Sequence, residues 1–163
     1  MPSVLIVCTA NLCRSPMAMA LLKHLLHQHK MYGWRVESAG TWVQGISPAV
    51  QTVQDVLADF GLNIQDHRSR VVTRELLRQF DLILTMETGQ KEALTVEFPE
   101  IAPRLFLLSE MVGEEYSIPD PIGGELSDYR RTAARIHRLL TQGFERIVRL
   151  AENPEPLDLF PAG

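Results

Sequence analysis

The segment VLIVCTANLCRSP, residues 4–16, decides the fold that this sequence predicts. It opens with a continuous apolar run rich in β-branched side chains, which is typical of a strand buried on both faces in a parallel sheet. The run ends at Cys8, and after a short loop Pro16 suits the first turn of a helix, with Ser15 as its N-cap. Apolar residues then recur at helical spacing: Ala18, Leu21, Leu22, Leu25 and Leu26. The opening unit is therefore predicted to be a strand, a loop and a helix.

Strand and helix patterns alternate along the rest of the chain. Three further strands are predicted at residues 35–38, 81–86 and 105–108, and the second of these has the pattern of a buried strand. Helices are predicted from Pro48 to Gly61, over residues 73–80, and as one long terminal helix from Leu126 to Ala151, with a loop over residues 113–124. This alternation predicts a doubly wound α/β domain with a parallel sheet. Ligands bind such sheets at the carboxyl ends of the strands, where the loop after Cys8 lies.

Length and composition indicate one globular domain. The 163 residues are 45% hydrophobic and 22% charged, and we expect a single domain over residues 1–152 followed by a proline-rich tail, 153–163. No apolar run approaches the roughly 20 residues that a membrane-spanning helix needs, so no membrane insertion is predicted. The first residues lack a signal-peptide pattern, which favours a cytoplasmic protein.

Charge and cysteine content narrow the classes of function. The net charge is −4 and the basic residues are scattered along the sequence, so no nucleic-acid partner is predicted. Only two cysteines are present, Cys8 and Cys13, which are too few for a disulfide-stapled secreted scaffold. Their position beside the predicted ligand site instead indicates a role in catalysis.

The loop from Cys8 to Ser15 has the form C-x5-R-S, and each part suits the binding of a phosphate. Backbone amides in a loop that leads into a helix N-terminus can surround a tetrahedral anion, which the helix dipole also favours. The planar guanidinium of Arg14 can grip two phosphoryl oxygens, and the same positive environment stabilises a cysteine thiolate. Taken alone, Cys8 fits a small buried strand residue better, and the arginine, the serine and the helix start at this spacing reverse that preference. Sulfurtransferases use a similar but shorter loop.

Asp120, which lies between Pro119 and Pro121, is the candidate general acid. Displacing an alcohol or phenol from phosphorus requires a proton for the leaving oxygen, and the flanking prolines stiffen the backbone that would hold the carboxyl group. An ordinary turn aspartate remains the alternative, because Asp-Pro pairs are common in loops.

Four segments together resemble low-molecular-weight protein tyrosine phosphatases of the bacterial type: residues 7–18, 38–41, 67–70 and 120–121. The resemblance implies a four-stranded parallel sheet flanked by helices on both faces, with the phosphate-binding loop between the first strand and the first helix. It implies hydrolysis through a phosphocysteine, with no metal and no cofactor. Cys8 would be the nucleophile, Arg14 the phosphate clamp and Asp120 the general acid and then base.

The resemblance also gives roles to the surrounding residues. Ser15 would hydrogen-bond the Cys8 sulfur, while Asn11, with Ser38 and His67 behind it, would brace the loop. Cys13 matches a second loop cysteine that can form a disulfide with an oxidised nucleophile, although a side chain that only fills space beside the helix is the alternative. The phosphate would contact the remaining residues of the loop as well: Thr9, Ala10, Asn11, Leu12, Cys13 and Ser15.

Substrate choice depends on three positions around the loop. Ile122 follows the Asp-Pro pair where many members of the family carry aromatic residues. Trp42 can supply the missing stacking surface, and a partly buried tryptophan that anchors its loop is the alternative. Leu12 favours phosphotyrosine, because relatives that act on phosphoarginine carry threonine there. The expected partner is a phosphotyrosine protein such as a bacterial tyrosine autokinase of polysaccharide export, with a protein-arginine phosphatase as the alternative function.

Overall fold

A computed structural model describes residues 1–162, and Gly163, the last residue of the predicted tail, lies outside the described residues. Strands and helices alternate through most of the chain. Two 3₁₀ segments, Pro99–Arg104 and Leu108–Val112, flank the last strand. In chain order the strands and α-helices are β1 (Ser3–Cys8), α1 (Arg14–Gln28), β2 (Arg35–Gly40), α2 (Gln51–Ala58), α3 (Arg74–Arg78), β3 (Leu82–Thr85), α4 (Thr88–Glu97), β4 (Leu105–Leu107), α5 (Leu126–Gln142) and α6 (Phe144–Glu152).

The four strands form one parallel sheet in the order β2-β1-β3-β4. Central strand β1 is buried along its whole length, and its side chains alternate between two cores. Val4 and Ile6 pack in the larger core, which includes residues of α1, α2, α5 and α6. Leu5 and Val7 pack in the smaller core with residues of α3 and α4. The predicted α/β class, with a parallel sheet and helices on both faces, is confirmed.

Two predicted helix starts are wrong. Helix α1 begins at Arg14 with Cys13 at the cap, so Ser15 lies inside the first turn and does not cap the helix. Its hydroxyl instead faces the Cys8 sulfur. Helix α2 begins at Gln51 rather than Pro48, because Val50 keeps an extended backbone and donates a hydrogen bond to the carbonyl of Leu12.

The prediction of one long terminal helix is also wrong, because the helical segment divides at Gly143 into α5 and α6. A Cβ atom at residue 143 would lie 2.6 Å from Met111 Cβ, so the close approach of the 3₁₀ segment requires glycine there. Helix α4 was not predicted at all. It buries only Leu94 and the amide of Gln90, too few positions to produce a helical apolar pattern.

The C-terminal tail packs against the smaller core. Leu157 contacts that core, the amide of Asp158 donates to the carbonyl of Glu100, and Arg104 donates to the carbonyl of Glu155. The division into a domain and a tail stays a prediction. Among residues 1–162, no helix combines the length and the apolar character that crossing a bilayer needs.

Candidate active site

The loop between β1 and α1 has the backbone shape of an anion site. Asn11 adopts a left-handed conformation with φ of +60°, which turns the chain sharply. Within residues 1–162, the amides of residues 9–13 donate to no protein acceptor, and the N-terminus of α1 follows directly. Successive free amides at a helix N-terminus are suited to bind phosphate oxygens.

Strand β2 presses against this loop from the side. Thr41 and Trp42 donate backbone hydrogen bonds to the carbonyls of Cys8 and Thr9, at 2.9 and 3.0 Å. A Cβ atom at residue 40 would lie only 2.3 Å from the Thr9 carbonyl oxygen. Gly40 is therefore required for the loop to fold against the end of β2.

Cys8 is buried at the bottom of the loop, where its sulfur lies 3.0 Å from the hydroxyl of Ser15. The Ser15 oxygen accepts a hydrogen bond from Asn11 Nδ2 at 2.8 Å. The hydroxyl hydrogen of Ser15 can be donated to the sulfur at 3.0 Å or to the Ala39 carbonyl oxygen at 3.5 Å, and the shorter contact favours the sulfur. A hydroxyl that donates to sulfur stabilises the thiolate, the reactive form of cysteine.

Asn11 connects the loop to two neighbouring segments. Its Nδ2 also donates to Ser38 Oγ at 2.9 Å, and its Oδ1 accepts from the amide of Arg70 at 3.1 Å. His67 Nε2 lies 2.8 Å from the Asn11 carbonyl oxygen, so this nitrogen carries the proton. The structure thus brings together Asn11, Ser38 and His67 as the sequence predicts, and it adds the amide of Arg70 from the same motif.

Replacing His67 by glutamine is expected to remove a pH-dependent loss of stability. Burial lowers the pKa of His67, the hydrogen bond to Asn11 opposes this, and the charges of Arg68 and Arg70 add to it. The folded protein therefore favours neutral His67. Its contribution to stability is complete above pH 6.5, the ordinary histidine value, and is lost as the pH falls through the lower folded-state value.

Melting temperatures measured between about pH 7.5 and about pH 5 test this expectation. The wild-type protein should lose more stability over this range than His67→Gln. His27→Gln, which changes an exposed histidine on α1, should follow the wild-type profile. Parallel profiles for wild type and His67→Gln would contradict the assignment.

The Arg14 side chain lies between the loop of residues 8–15 and the loop that carries Asp120. It is 2% exposed. Its Nη1 donates a hydrogen bond to the Ile118 carbonyl at 2.7 Å and forms an ion pair with Glu87 at 3.1 Å. Nη2 lies 3.5 Å from Asp120 Oδ2, whereas Nε has no hydrogen-bond partner among the described residues. The buried Nε is thus a donor without a protein acceptor, and an added acceptor such as a phosphate oxygen would satisfy it.

The loop that carries Asp120 is fixed to the end of β3. Ile118 donates a backbone hydrogen bond to Met86, and the hydroxyl of Ser117 accepts one from the amide of Thr88. The amide of Ile122 donates to Asp120 Oδ1 at 3.1 Å. These contacts hold a carboxylate that is still 34% exposed next to a buried arginine.

A sequence model described as low molecular weight phosphotyrosine protein phosphatase matches residues 3–153. The chain belongs to this family. The predicted family resemblance is thereby confirmed.

Known members of the family include enzymes of two specificities. The probable low molecular weight protein-tyrosine-phosphatase EpsP of Ralstonia solanacearum is 35% identical over 136 residues, which cover 83% of this chain and 89% of that protein. A protein-arginine-phosphatase of Geobacillus stearothermophilus is 33% identical over 145 residues, covering 88% and 95%. The crystal structure of a low molecular weight protein tyrosine phosphatase from T. tengcongensis has a TM-score of 0.85 at 34% identity, covering 90% and 99%.

Two polar residues of this phosphatase site were missed by the sequence analysis. Glu87 pairs with Arg14, and Gln90 donates to Thr9 Oγ1 and to Glu87 Oε2, at 3.0 Å each. Both residues come shortly after the end of β3, which lies beside β1 in the sheet. Since the carboxyl ends of parallel strands meet at one edge, polar residues after a second buried strand were the available signal.

Cys13 is a buried thiol at the start of α1. Burial raises the pKa of Cys13 to about 12, and the nearby charges of Asp120 and Cys8 add to this effect. Cys13 therefore remains a protonated thiol at neutral pH and does not compete as a nucleophile. Both cysteines are free in the structure, so the disulfide between them stays a prediction.

The predicted pocket walls lie on the exposed side of this family's loop. Trp42 is 65% exposed and Ile122 is 53% exposed, whereas Leu12 is half-buried. Their contacts with substrate stay predictions. In the described part of the chain, no group of three or more His, Cys, Asp or Glu side chains is arranged to hold a metal ion.

Proposed function

We propose that this chain hydrolyses phosphotyrosine in proteins through a phosphocysteine intermediate, with Cys8, Arg14 and Asp120 as the catalytic residues. The observation that carries the proposal is the buried guanidinium of Arg14. It follows the loop of free amides, has an unpartnered Nε, and reaches Asp120 at 3.5 Å. A charge in this position is suited to a phosphoryl group held between the nucleophile and the acid.

In the first step the Cys8 thiolate attacks phosphorus in line, so that a sulfur–phosphorus bond forms as the bond to the tyrosine oxygen breaks. Arg14 and the free amides of the loop bind the equatorial oxygens, where negative charge is spread in the transition state. Protonated Asp120 gives its proton to the departing oxygen, which leaves as neutral tyrosine.

In the second step Asp120, now a carboxylate, takes a proton from water. The water oxygen attacks phosphorus, the sulfur–phosphorus bond breaks, and phosphate leaves. The Ser15 hydroxyl, 3.0 Å from the sulfur, stabilises the returning thiolate. Asn11 holds that hydroxyl in place through its own hydrogen bond at 2.8 Å.

The Asp120→Ala variant is expected to lose about 10²- to 10³-fold in kcat/KM on phenyl phosphate esters with poor leaving groups, the scale of general acid catalysis. Esters whose leaving group needs no proton should lose much less in kcat/KM, because this ratio reports the steps up to phosphoryl transfer to Cys8 and not the later attack of water, in which Asp120 also acts. A plot of log kcat/KM against leaving-group pKa measures the difference. Asp59→Ala, at an exposed carboxylate paired with Arg130, is the matched control. Equal losses for good and poor leaving groups would contradict the role of Asp120.

A protein-arginine phosphatase is the second candidate function, because a relative with that name is 33% identical over most of this chain. The exposed Ile122, in place of an aromatic wall, also favours it. Peptides of one sequence that carry phosphotyrosine, phosphoarginine or phosphoserine separate the candidates by kcat/KM. Faster turnover of phosphoarginine than of phosphotyrosine would overturn the proposed substrate.

The physiological partner is proposed from the family resemblance alone. A bacterial tyrosine autokinase of polysaccharide export, in the cytoplasm, is the substrate to test first. Release of phosphate from the phosphorylated kinase, with the Cys8→Ser variant as a blank, is the measurement.

A further inference from the structure

A cavity of about 440 Å³ lies between the Asp120 loop and helix α5. One wall is formed by residues 118–124 of the loop and the other by Asp128, Arg131, Thr132 and Arg135 of the helix. Cys8 and Arg14 do not line it, whereas Asp120 does. The cavity is therefore next to the proposed catalytic centre, but the two chemical steps do not use it.

The helix wall of this cavity carries two arginines, Arg131 and Arg135, and one carboxylate, Asp128. Helix α5 carries four arginines and one carboxylate, in a chain whose net charge is −4: Arg130, Arg131, Arg135, Arg138 and Asp128. Arg131, Arg135 and Arg138 are spaced by four and three positions, which places them along one face of the helix.

The two arginines of the cavity differ in their partners. Arg131 Nη1 lies 3.1 Å from Asp128 Oδ1, and the other oxygen of Asp128 accepts the amide of Glu125 at 2.8 Å. The Arg135 guanidinium lies 5.8 Å from the centre of the Tyr116 ring. Among residues 1–162, no carboxylate lies within 4.0 Å of Arg135, so its charge is not neutralised by an ion pair.

We propose that this cavity binds an acidic side chain of the substrate protein, near in sequence to the phosphotyrosine. The inference rests on the proposed function, because the leaving tyrosine oxygen must then lie beside Asp120. The substrate backbone consequently passes close to the cavity that Asp120 also lines. Arg131 and Arg135 pair with the carboxylate, and Ile122 with the neighbouring prolines packs against its aliphatic stem.

Steady-state kinetics on two phosphotyrosine peptides test the proposal. One peptide carries glutamates on both sides of the phosphotyrosine, and the other carries glutamines in the same places. The wild-type enzyme should show a kcat/KM roughly 3- to 10-fold higher for the acidic peptide, the size that partly exposed ion pairs supply. This ratio should fall towards one in about 0.5 M salt, where such pairs are screened.

Variants test whether the preference for the acidic peptide arises at the cavity. The Arg131→Gln, Arg135→Gln double variant should reduce the ratio to about one, with each peptide measured on the same enzyme. Arg138→Gln removes the same charge one turn away from the cavity and should keep the wild-type ratio. A wild-type ratio of one, a ratio that survives the double variant, or an equal fall in Arg138→Gln would each overturn the proposal. If neither peptide is hydrolysed, the proposed function itself has failed.

Discussion

The Cys8→Ser variant is expected to lose phosphatase activity by roughly 10⁴- to 10⁶-fold in kcat, the scale seen when an enzyme loses its covalent nucleophile. A serine hydroxyl is not ionised at neutral pH, and the loop that stabilises a thiolate cannot make it a comparable nucleophile. The change removes little volume, and serine can keep the hydrogen bond to Ser15, so the fold should persist.

Hydrolysis of p-nitrophenyl phosphate, with melting temperature as the check on folding, measures this loss. Cys13→Ser is the matched control, because it changes the other cysteine of the same loop, whose thiol stays protonated. Its loss should be less than about tenfold. Rapid acid quenching followed by mass spectrometry should find a phosphoryl group on Cys8 of the wild-type enzyme. A Cys8→Ser enzyme that keeps substantial activity would show that the nucleophile lies elsewhere.

The Arg14→Lys variant is expected to lose about 10³- to 10⁴-fold in kcat/KM, although it keeps the positive charge. Lysine provides one point charge, whereas Arg14 uses one nitrogen for Ile118 and Glu87, another towards Asp120, and has Nε free. A single ammonium cannot maintain these contacts and also hold two phosphoryl oxygens.

The measurement is kcat and KM on a phosphotyrosine peptide, together with inhibition by inorganic phosphate. Both kcat and the affinity for phosphate should fall in Arg14→Lys. Arg149→Lys, at an exposed position of α6, makes the same chemical change away from the site and should behave as wild type. A loss of less than tenfold in Arg14→Lys would mean that charge alone is sufficient.

The parts of the fold that could be predicted depend on local signals. The apolar run of β1, the loop glycines and prolines, and the spacing from Cys8 to Arg14 all lie within short windows of sequence. Because strands β1, β3 and β4 are buried on both faces or nearly so, each of these three produces its own apolar run. Their parallel arrangement then follows from the helices between them.

The parts that could not be predicted depend on contacts between distant segments. Glu87 pairs with Arg14 only because β3 lies next to β1 in the sheet. The order of strands in a sheet cannot be predicted from a short window of sequence. The break at Gly143 depends on the approach of Met111, more than thirty positions away. Ser15 looks like a helix cap in sequence, and only the three-dimensional position of the Cys8 sulfur shows what its hydroxyl contacts.

Gly40 places a steric limit on the phosphate-binding loop, although it is not part of that loop. The residue has no side chain to offer a substrate, yet every other amino acid would drive a carbon atom into the Thr9 carbonyl. Trp42, two positions along the chain, is 65% exposed, so its side chain is not enclosed in the same way. A substitution at Trp42 alters the surface beside the loop, whereas any substitution of Gly40 displaces the loop itself.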